Sequence, residues 1–90
     1  MHVQRFDWDG RNVEHIGLHQ VEPVDAEVVC RNRRSVVMRG RGGRYVVYGQ
    51  TPEGRYLFIV LYRFGQGVVR IITARDMTDA ERRFYHHRRR

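Results

Sequence analysis

The chain has 90 residues, enough for one domain with a single modest core, and we expect residues 1–90 to form that domain. Its 17 basic residues are all arginines, its acidic residues number 10, and the formal net charge is +7. This balance favours nucleic acid or another acidic partner, because guanidinium groups grip phosphate through two parallel hydrogen bonds. A GC-rich genome would explain the missing lysines but not the net charge. The single cysteine, Cys30, excludes an internal disulfide.

Neither a membrane span nor a leader segment is indicated. No apolar run approaches the ~20 residues that a membrane-spanning helix needs. The first residues contain no signal-peptide core. We therefore expect a cytoplasmic protein with no membrane partner.

The first part of the chain predicts a short strand and two helices. Residues 4–8 have the pattern of a short edge strand. Asp9 is a candidate N-cap for a helix from Gly10 to Ile16, which Gly17 would end. A second helix is predicted to begin in the segment 22–27, because proline suits the first helical turn and acidic residues suit the positive end of the helix dipole.

The second part predicts a meander of four strands and a closing helix. We expect the strands at residues 35–38, 44–50, 55–64 and 68–75, with glycine-rich turns between them. Thr78 and Glu81 form a capping box that opens a helix ending near His87. A strand, two helices, a meander and a last helix make the fold class α+β.

The turns predict which residues face each other. A four-residue turn at 51–54 would place Arg44 opposite Leu61. The glycine turn at 65–67 would place Leu61 opposite Arg70 or its neighbour. Residues directly opposite each other share a face of the sheet, so Arg44 and Arg70 would flank Leu61, roughly 9–10 Å apart.

Two further arginines lie on the predicted strands, and the sequence predicts a clamp of two strand arginines without deciding which two. The same turn would place Arg55 opposite Gln50, on the face that carries Arg70, whereas Arg75 would lie on the other face with Tyr62. A slip of one residue would exchange Arg70 and Arg75. The alternative is that these arginines are structural and pair with acidic side chains, of which Asp76, Glu81 and Glu53 are the candidates.

The segment from residue 31 to residue 44 is strongly basic. It contains six arginines, three glycines and no acidic residue. Clusters of this kind are typical of surfaces that contact the nucleic-acid backbone. The predicted RNA-binding residues are Arg33, Arg34, Arg39, Arg41 and Arg44.

Neither a metal site nor a protein nucleophile is indicated. His15 and His19 have the spacing of a metal pair, but Gly17 interrupts the helix between them and no further ligand completes a set. We expect no metal and no other cofactor. RNA carries its own nucleophile, the 2′-hydroxyl, so a protein that positions the backbone and stabilises the developing charge can cleave it without metal. Spacing does not distinguish among the candidates for proton transfer, which are Tyr62, Tyr48, Glu53 and His15.

Two segments of the chain resemble the BrnT family of toxins. The first contains Phe6-Asp-Trp8-Asp9, Asn12-x-x-His15-Ile16, His19-x-Val21 and Glu22-Pro-Val-Asp-Ala-Glu27. The second contains Gly54-Arg55-Tyr-Leu-Phe-Ile-Val-Leu-Tyr62 and Arg70-Ile-Ile-Thr-Ala-Arg75-Asp-Met-Thr78-x-x-Glu81-Arg82-x-x-Tyr85. The resemblance covers nearly the whole chain, and Arg-Ile-Ile-x-Ala-Arg before a capped helix is its most specific part. One departure is Gln20, where the family commonly has glycine.

The resemblance implies a RelE-like fold, in which two N-terminal helices pack on a four-stranded antiparallel sheet with a C-terminal helix. It implies a bacterial type II toxin, a metal-independent endoribonuclease that acts on mRNA, free or ribosome-bound. A BrnA-like antitoxin would silence it, and operator DNA would be bound only through the antitoxin complex. By position, it implicates Arg55 and Arg70 in stabilising the scissile phosphate, with Arg75 as the other arginine of the motif.

Tyr62 completes the predicted catalytic set as a proton-transfer group. Two alternatives stay open. A non-catalytic nucleic-acid-binding protein, such as a transcriptional regulator, would have the same basic face. An inactive toxin homologue that docks an acidic partner would have it as well.

Overall fold

The computed structural model describes residues 1–89 of the chain. The α+β class predicted from the sequence is confirmed. The helices are α1 (Gly10–Gly17), α2 (Pro23–Arg31) and α3 (Asp79–Arg88), and a single 3-10 turn spans Gly65–Gly67. The strands are β1 (Arg5–Phe6), β2 (Val36–Arg39), β3 (Arg44–Gln50), β4 (Tyr56–Phe64) and β5 (Val68–Asp76). Within residues 1–89, no helix is long and apolar enough to cross a membrane.

The sheet has five strands in the order β1-β5-β4-β3-β2. Strands β2 to β5 are antiparallel neighbours, whereas β1 runs parallel to β5. Backbone bonds hold β1 in place, from Gln4 N to Gly67 O and from Asp7 N to Val69 O, both at 2.8 Å. The expectation of a four-stranded, wholly antiparallel sheet was therefore wrong. A two-residue strand pairs through contacts more than sixty residues away in sequence, which local patterns do not reveal.

The main core lies between one face of the sheet and helices α1 and α2. Leu57, Ile59 and Leu61 alternate along β4 and are fully buried on this face. Ile16 from α1 and Val29 from α2 are buried against them. Burial of each such side chain stabilises the fold by about 1.5–3 kcal/mol before the entropic cost of ordering is counted. The core thereby fixes the orientation of every residue on β4.

Helix α3 covers only one end of the opposite face. Its N-terminus has the predicted capping box, in which Thr78 Oγ1 accepts from Glu81 N at 3.1 Å and Glu81 Oε1 accepts from Thr78 N at 2.8 Å. Tyr85 is buried beneath the helix, beside Met77 and Val36. At the other end of this face, Arg44 and Phe64 are exposed.

The register of β3 and β4 differs from the expected one by a single residue. Arg44 faces Tyr62, not Leu61. The reason lies in the turn, because Thr51 extends the ladder. Its N–H donates to Arg55 O at 2.8 Å, and its hydroxyl accepts from Arg55 N at 3.0 Å. Arg55 consequently pairs with Thr51 rather than with Gln50.

A β-bulge in β5 changes the predicted distribution of arginines. Val60 pairs with Thr73 and Leu61 pairs with Ile71, so Ile72 is an extra residue in the strand. Arg70 and Arg75, five positions apart, would lie on opposite faces of a regular strand. The bulge brings both to the face of the sheet that Tyr62 shares, so their predicted separation was wrong.

Candidate nucleic-acid interface

A row of three residues crosses the open face of the sheet. Arg44 on β3 faces Tyr62 on β4, and Tyr62 faces Arg70 on β5. Strands in a sheet lie about 4.8 Å apart, so the two arginine backbones are separated by roughly 10 Å. Arg44 and Arg70 therefore flank Tyr62, and the prediction that they flank Leu61 was wrong by one residue.

The β2–β3 turn lies against the ring of Tyr62. Gly43 adopts a φ of +80°, and a Cβ atom built there would be 3.3 Å from Tyr62 Cζ. Glycine therefore permits both the left-handed backbone and the close approach. The carbonyl of Gly43 also accepts a hydrogen bond from Arg63 N at 2.9 Å.

Apolar surface remains accessible around this row. The ring of Phe64 is tilted against that of Tyr62, with centroids 4.9 Å apart, and Phe64 is 44% exposed. Ile72, the bulged residue of β5, is also exposed. Within residues 1–89, Arg44 makes no ion pair. A face with aromatic rings beside an unpaired arginine suits single-stranded nucleic acid, whose bases stack and whose phosphates need cations.

Arg70 forms ion pairs with two carboxylates near the N-terminus. Its Nη1 lies 3.3 Å from Asp7 Oδ2 and 3.1 Å from Asp9 Oδ2. The hydrogen bond to Asp9 raises the pKa of Arg70, and the same bond lowers the pKa of Asp9. Asp9 also caps α1 as predicted, by accepting from Arg11 N at 2.9 Å. One carboxylate thus links the start of α1 to the arginine of β5.

Arg70 also lines a cleft of about 300 Å³ between α1 and β5. His15 lies in this cleft, with Nε2 at 3.1 Å from Thr73 Oγ1. Arg11 is a second arginine of the lining. The cleft thus combines an imidazole, which commonly moves protons near neutral pH, with two guanidinium groups. Sequence spacing left His15 as one of four candidates, because 55 positions separate it from Arg70.

Arg55 joins the loop between α1 and α2 to the end of β5. It donates from Nε to Asp76 Oδ1 and from Nη1 to Gln20 O, each at 2.6 Å, and from Nη2 to His19 O at 2.8 Å. The bond to Asp76 raises the pKa of Arg55. Each of its three guanidinium nitrogens therefore already donates a hydrogen bond within the chain.

Arg75 holds helix α3 against the sheet. Its guanidinium binds both carboxylate oxygens of Glu81, at 2.8 and 3.0 Å, and lies 4.0 Å from the centroid of the Phe58 ring. The paired hydrogen bonds raise the pKa of Arg75 and lower that of Glu81. Bidentate geometry over an aromatic ring is typical of a stabilising arginine.

The predicted catalytic arginines therefore do not converge on one point. The strand from Arg70 to Asp76 spans roughly 20 Å, at about 3.3 Å per residue. Arg55 binds Asp76, and Arg75 directly precedes Asp76 in the chain. Both arginines therefore lie towards the Asp76 end of β5, away from Arg70. Arg44, Tyr62 and Arg70 come together, and His15 joins them through the cleft.

The remaining predicted RNA-binding arginines surround strand β2. Arg33 and Arg34 lie in the turn before it, and Arg39 and Arg41 lie at its end. All four are exposed and make no ion pair among residues 1–89. Arg39 donates to the hydroxyl of Tyr45 at 3.3 Å.

Other reactive side chains of the chain are buried or lie apart from the row. Burial raises the pKa of Tyr48, whose ring packs against Phe58 and Phe84 with centroids 5.4 and 4.9 Å away. Burial also raises the pKa of the Cys30 thiol to about 12. Within residues 1–89, no three histidine, cysteine or acidic side chains lie together in a manner that could hold a metal ion.

No protein-family model matches the chain, and no curated protein matches it. The contacts of the open sheet face and of the adjoining cleft are therefore the structural basis for a functional proposal. Their common element is Arg70, which takes part in both.

Proposed function

We propose that the chain is a metal-independent endoribonuclease toxin of a type II toxin–antitoxin pair, with a RelE-like fold. The observation that carries the proposal is the position of Arg70, in both the row across the sheet and the cleft around His15. A phosphate of an RNA strand on the open face would bind Arg70, next to the imidazole. Cleavage needs little more than this, because RNA supplies the 2′-hydroxyl as nucleophile.

In the proposed reaction the 2′-oxygen attacks the adjacent phosphorus, and the bond from phosphorus to the 5′-oxygen breaks. The products are a 2′,3′-cyclic phosphate and a 5′-hydroxyl. His15 accepts the proton of the 2′-hydroxyl, and Tyr62 donates a proton to the leaving 5′-oxygen. Arg70 stabilises the negative charge that develops on the phosphorane oxygens, and Arg44 binds a neighbouring phosphate.

A phosphate can bind Arg70 only if it displaces the carboxylates of Asp7 and Asp9 from the guanidinium. The two carboxylate side chains are 41% and 52% exposed. Exposed ion pairs are worth only about 0–1 kcal/mol, so the phosphate of a bound strand can replace them. Arg55 binds Asp76 of β5 and Arg75 binds Glu81 of α3, so the assignment of these two arginines to the catalytic set stays a prediction.

The proposed partners follow from the charge and from the resemblance. RNA, as mRNA free or on the ribosome, would bind the arginines of the open face. The net charge of +7 favours association with an acidic antitoxin of the BrnA type. Operator DNA would be bound only through that complex.

The direct test is cleavage of a labelled single-stranded RNA oligonucleotide in the presence of EDTA. We expect the chain to produce fragments that end in a cyclic phosphate. Arg70→Ala should lower the cleavage rate by about 10²-fold or more, and His15→Gln should do the same. Arg83→Ala is the matched control, because it removes one exposed positive charge of α3, outside the row, and should cleave normally.

Two results would contradict the proposal. Equal cleavage by the Arg70→Ala and Arg83→Ala variants would remove Arg70 from the site. RNA binding by the unaltered chain without fragments would exclude the ribonuclease activity itself.

RNA binding without cleavage would favour the alternative function, that of a non-catalytic protein that binds nucleic acid or a partner. The observation on its side is that Arg55, Arg70 and Arg75 all bind carboxylates of the chain. For such a protein, the logarithm of the RNA affinity would fall linearly with the logarithm of salt concentration, with a slope of about 0.7 per phosphate contacted on a single strand.

A further inference from the structure

Strand β2 forms an edge of the sheet that no other strand of the described chain covers. It pairs only with β3, and it lies last in the strand order. Its central residue, Val37, is 37% exposed. Natural edges are commonly protected by proline, by charged residues within the strand or by a covering loop. Strand β2 contains no proline, and its one charged residue is the last, Arg39, so Val36, Val37 and Met38 carry no charge.

The hydrogen-bond pattern identifies the free backbone groups of this edge. Gly40 N donates to Arg44 O at 2.8 Å, which makes this pair a bonded position of the ladder. Bonded positions alternate in an antiparallel pair, so Met38 and Val36 bond to β3. The N–H and C=O groups of Val37 and Arg39 therefore point away from the sheet. These groups are spaced about 6.8 Å apart along the edge, as in the ladder of an extended polypeptide.

Positive charge lies at both ends of the edge. Arg33 and Arg34 precede β2, Arg39 and Arg41 follow its central residues, and no acidic residue lies between positions 31 and 44. A second copy of the chain is a poor occupant, because edge-to-edge pairing would bring two sets of these arginines together. An acidic segment would instead neutralise them.

The backbone groups also discriminate between protein and nucleic acid. The phosphates of a nucleic-acid strand can only accept hydrogen bonds, and their anionic oxygens would face the outward carbonyls of Val37 and Arg39. A polypeptide offers donors and acceptors in alternation, so it can satisfy both kinds of group. The edge therefore fits a protein segment better than it fits a nucleic-acid strand.

We propose that β2 is the docking edge for an extended acidic segment of a partner protein, which adds to the sheet as a sixth strand. The segment would bond to Val37 and Arg39 through its backbone and would place carboxylates against the flanking arginines. This site is separate from the row of Arg44, Tyr62 and Arg70, and it does not depend on ribonuclease activity.

The first test is amide hydrogen exchange, measured by NMR on the unaltered chain. The probe is a hexapeptide of alternating glutamate and valine with blocked ends. The expected result is slower exchange at the Val37 and Arg39 amides, with little change at Val36 and Met38, which already bond to β3. Unchanged exchange at Val37 and Arg39 with peptide present at millimolar concentration would overturn the proposal.

The second test removes one outward donor. Val37→Pro deletes an N–H that does not take part in the ladder with β3, and edge strands tolerate proline at such positions. Peptide affinity should fall about fivefold or more, as expected for one lost hydrogen bond, whereas Val37→Thr should retain it. Equal peptide affinity of Val37→Pro and Val37→Thr would overturn the proposal. Equal protection of the Val37 amide by a ten-residue oligouridine would do so as well, since it would make this edge a nucleic-acid site.

Discussion

Asn12 fastens helix α1 to strand β5 through a hydrogen bond from Nδ2 to Ile71 O at 3.2 Å. The same amide nitrogen donates to Asp7 O at 2.9 Å, and its Oδ1 accepts from Asp9 N at 2.8 Å. Asn12 is only 4% exposed, so water cannot replace these partners. Because α1 carries His15 and β5 carries Arg70, this side chain positions the two walls of the cleft.

Asn12→Asp should therefore destabilise the fold. The carboxylate has no N–H to donate and would face two backbone carbonyls, and a buried unsatisfied group costs about 1–3 kcal/mol. Urea denaturation at pH 7 measures the loss. The control is Asn32→Asp, since the exposed Asn32 acts as an acceptor for Arg34 N and an aspartate would keep that bond. Equal midpoints for the two variants would contradict the role given to Asn12.

The ion pair of Arg75 with Glu81 should make stability depend on pH. The pKa of Glu81 is lowered in the folded state, so the protonated form is disfavoured there. The ion pair therefore contributes to stability at pH values above 4.5, the ordinary pKa of a glutamate. This contribution is lost as the pH falls below 4.5 and passes through the pKa of the folded state. Glu81→Gln should therefore lower Tm at pH 7 and change it little at pH 2.

Thermal unfolding followed by circular dichroism at both values measures this difference. Glu14→Gln is the matched control, because Glu14 is exposed and makes no ion pair among residues 1–89. If the two variants lose the same Tm at pH 7, the pair does not stabilise the packing of α3.

Gly49 permits the close contact of α2 with β3. A Cβ at this position would lie 2.7 Å from Val29 Cγ1 and would also collide with the Ser35 hydroxyl. Gly49→Ala should destabilise the protein by about 1–3 kcal/mol, because these neighbours must move within a packed core. At Gly17 a Cβ meets no atom within 4 Å, so Gly17→Ala should be neutral or stabilising. Chemical denaturation of both variants gives the comparison, and a Gly49→Ala midpoint equal to that of Gly17→Ala would contradict it.

Two glutamines occupy backbone conformations that favour glycine. Gln20 has a φ of 59° and Gln66 a φ of 72°, both in the left-handed region. Gln20→Gly and Gln66→Gly should be neutral or should stabilise by up to about 1 kcal/mol, because relief of backbone strain exceeds the added entropy of the unfolded chain. Gln50→Gly, within β3, should have the opposite sign. Denaturation midpoints that fall for all three variants would contradict this account.

The local sequence determined the helix starts. Asp9 and Thr78 cap α1 and α3 as predicted, because each bonds to a backbone N–H within three residues. The meander was also predicted closely, and β3 has the expected bounds, residues 44–50. Glycine-rich turns and apolar runs lie close together in the chain, so their pairing is limited to a few registers.

The composition and the arginine pattern indicated a basic sheet face, but only the tertiary structure decided which residues share that face. The hydrogen bonds of Thr51 set the register that pairs Arg44 with Tyr62, and the bulge at Ile72 turned Arg70 and Arg75 to one face. The parallel pairing of β1 and the cleft around His15 depend on contacts between distant segments. Such contacts form only when the whole core packs, so short-range propensities cannot specify them.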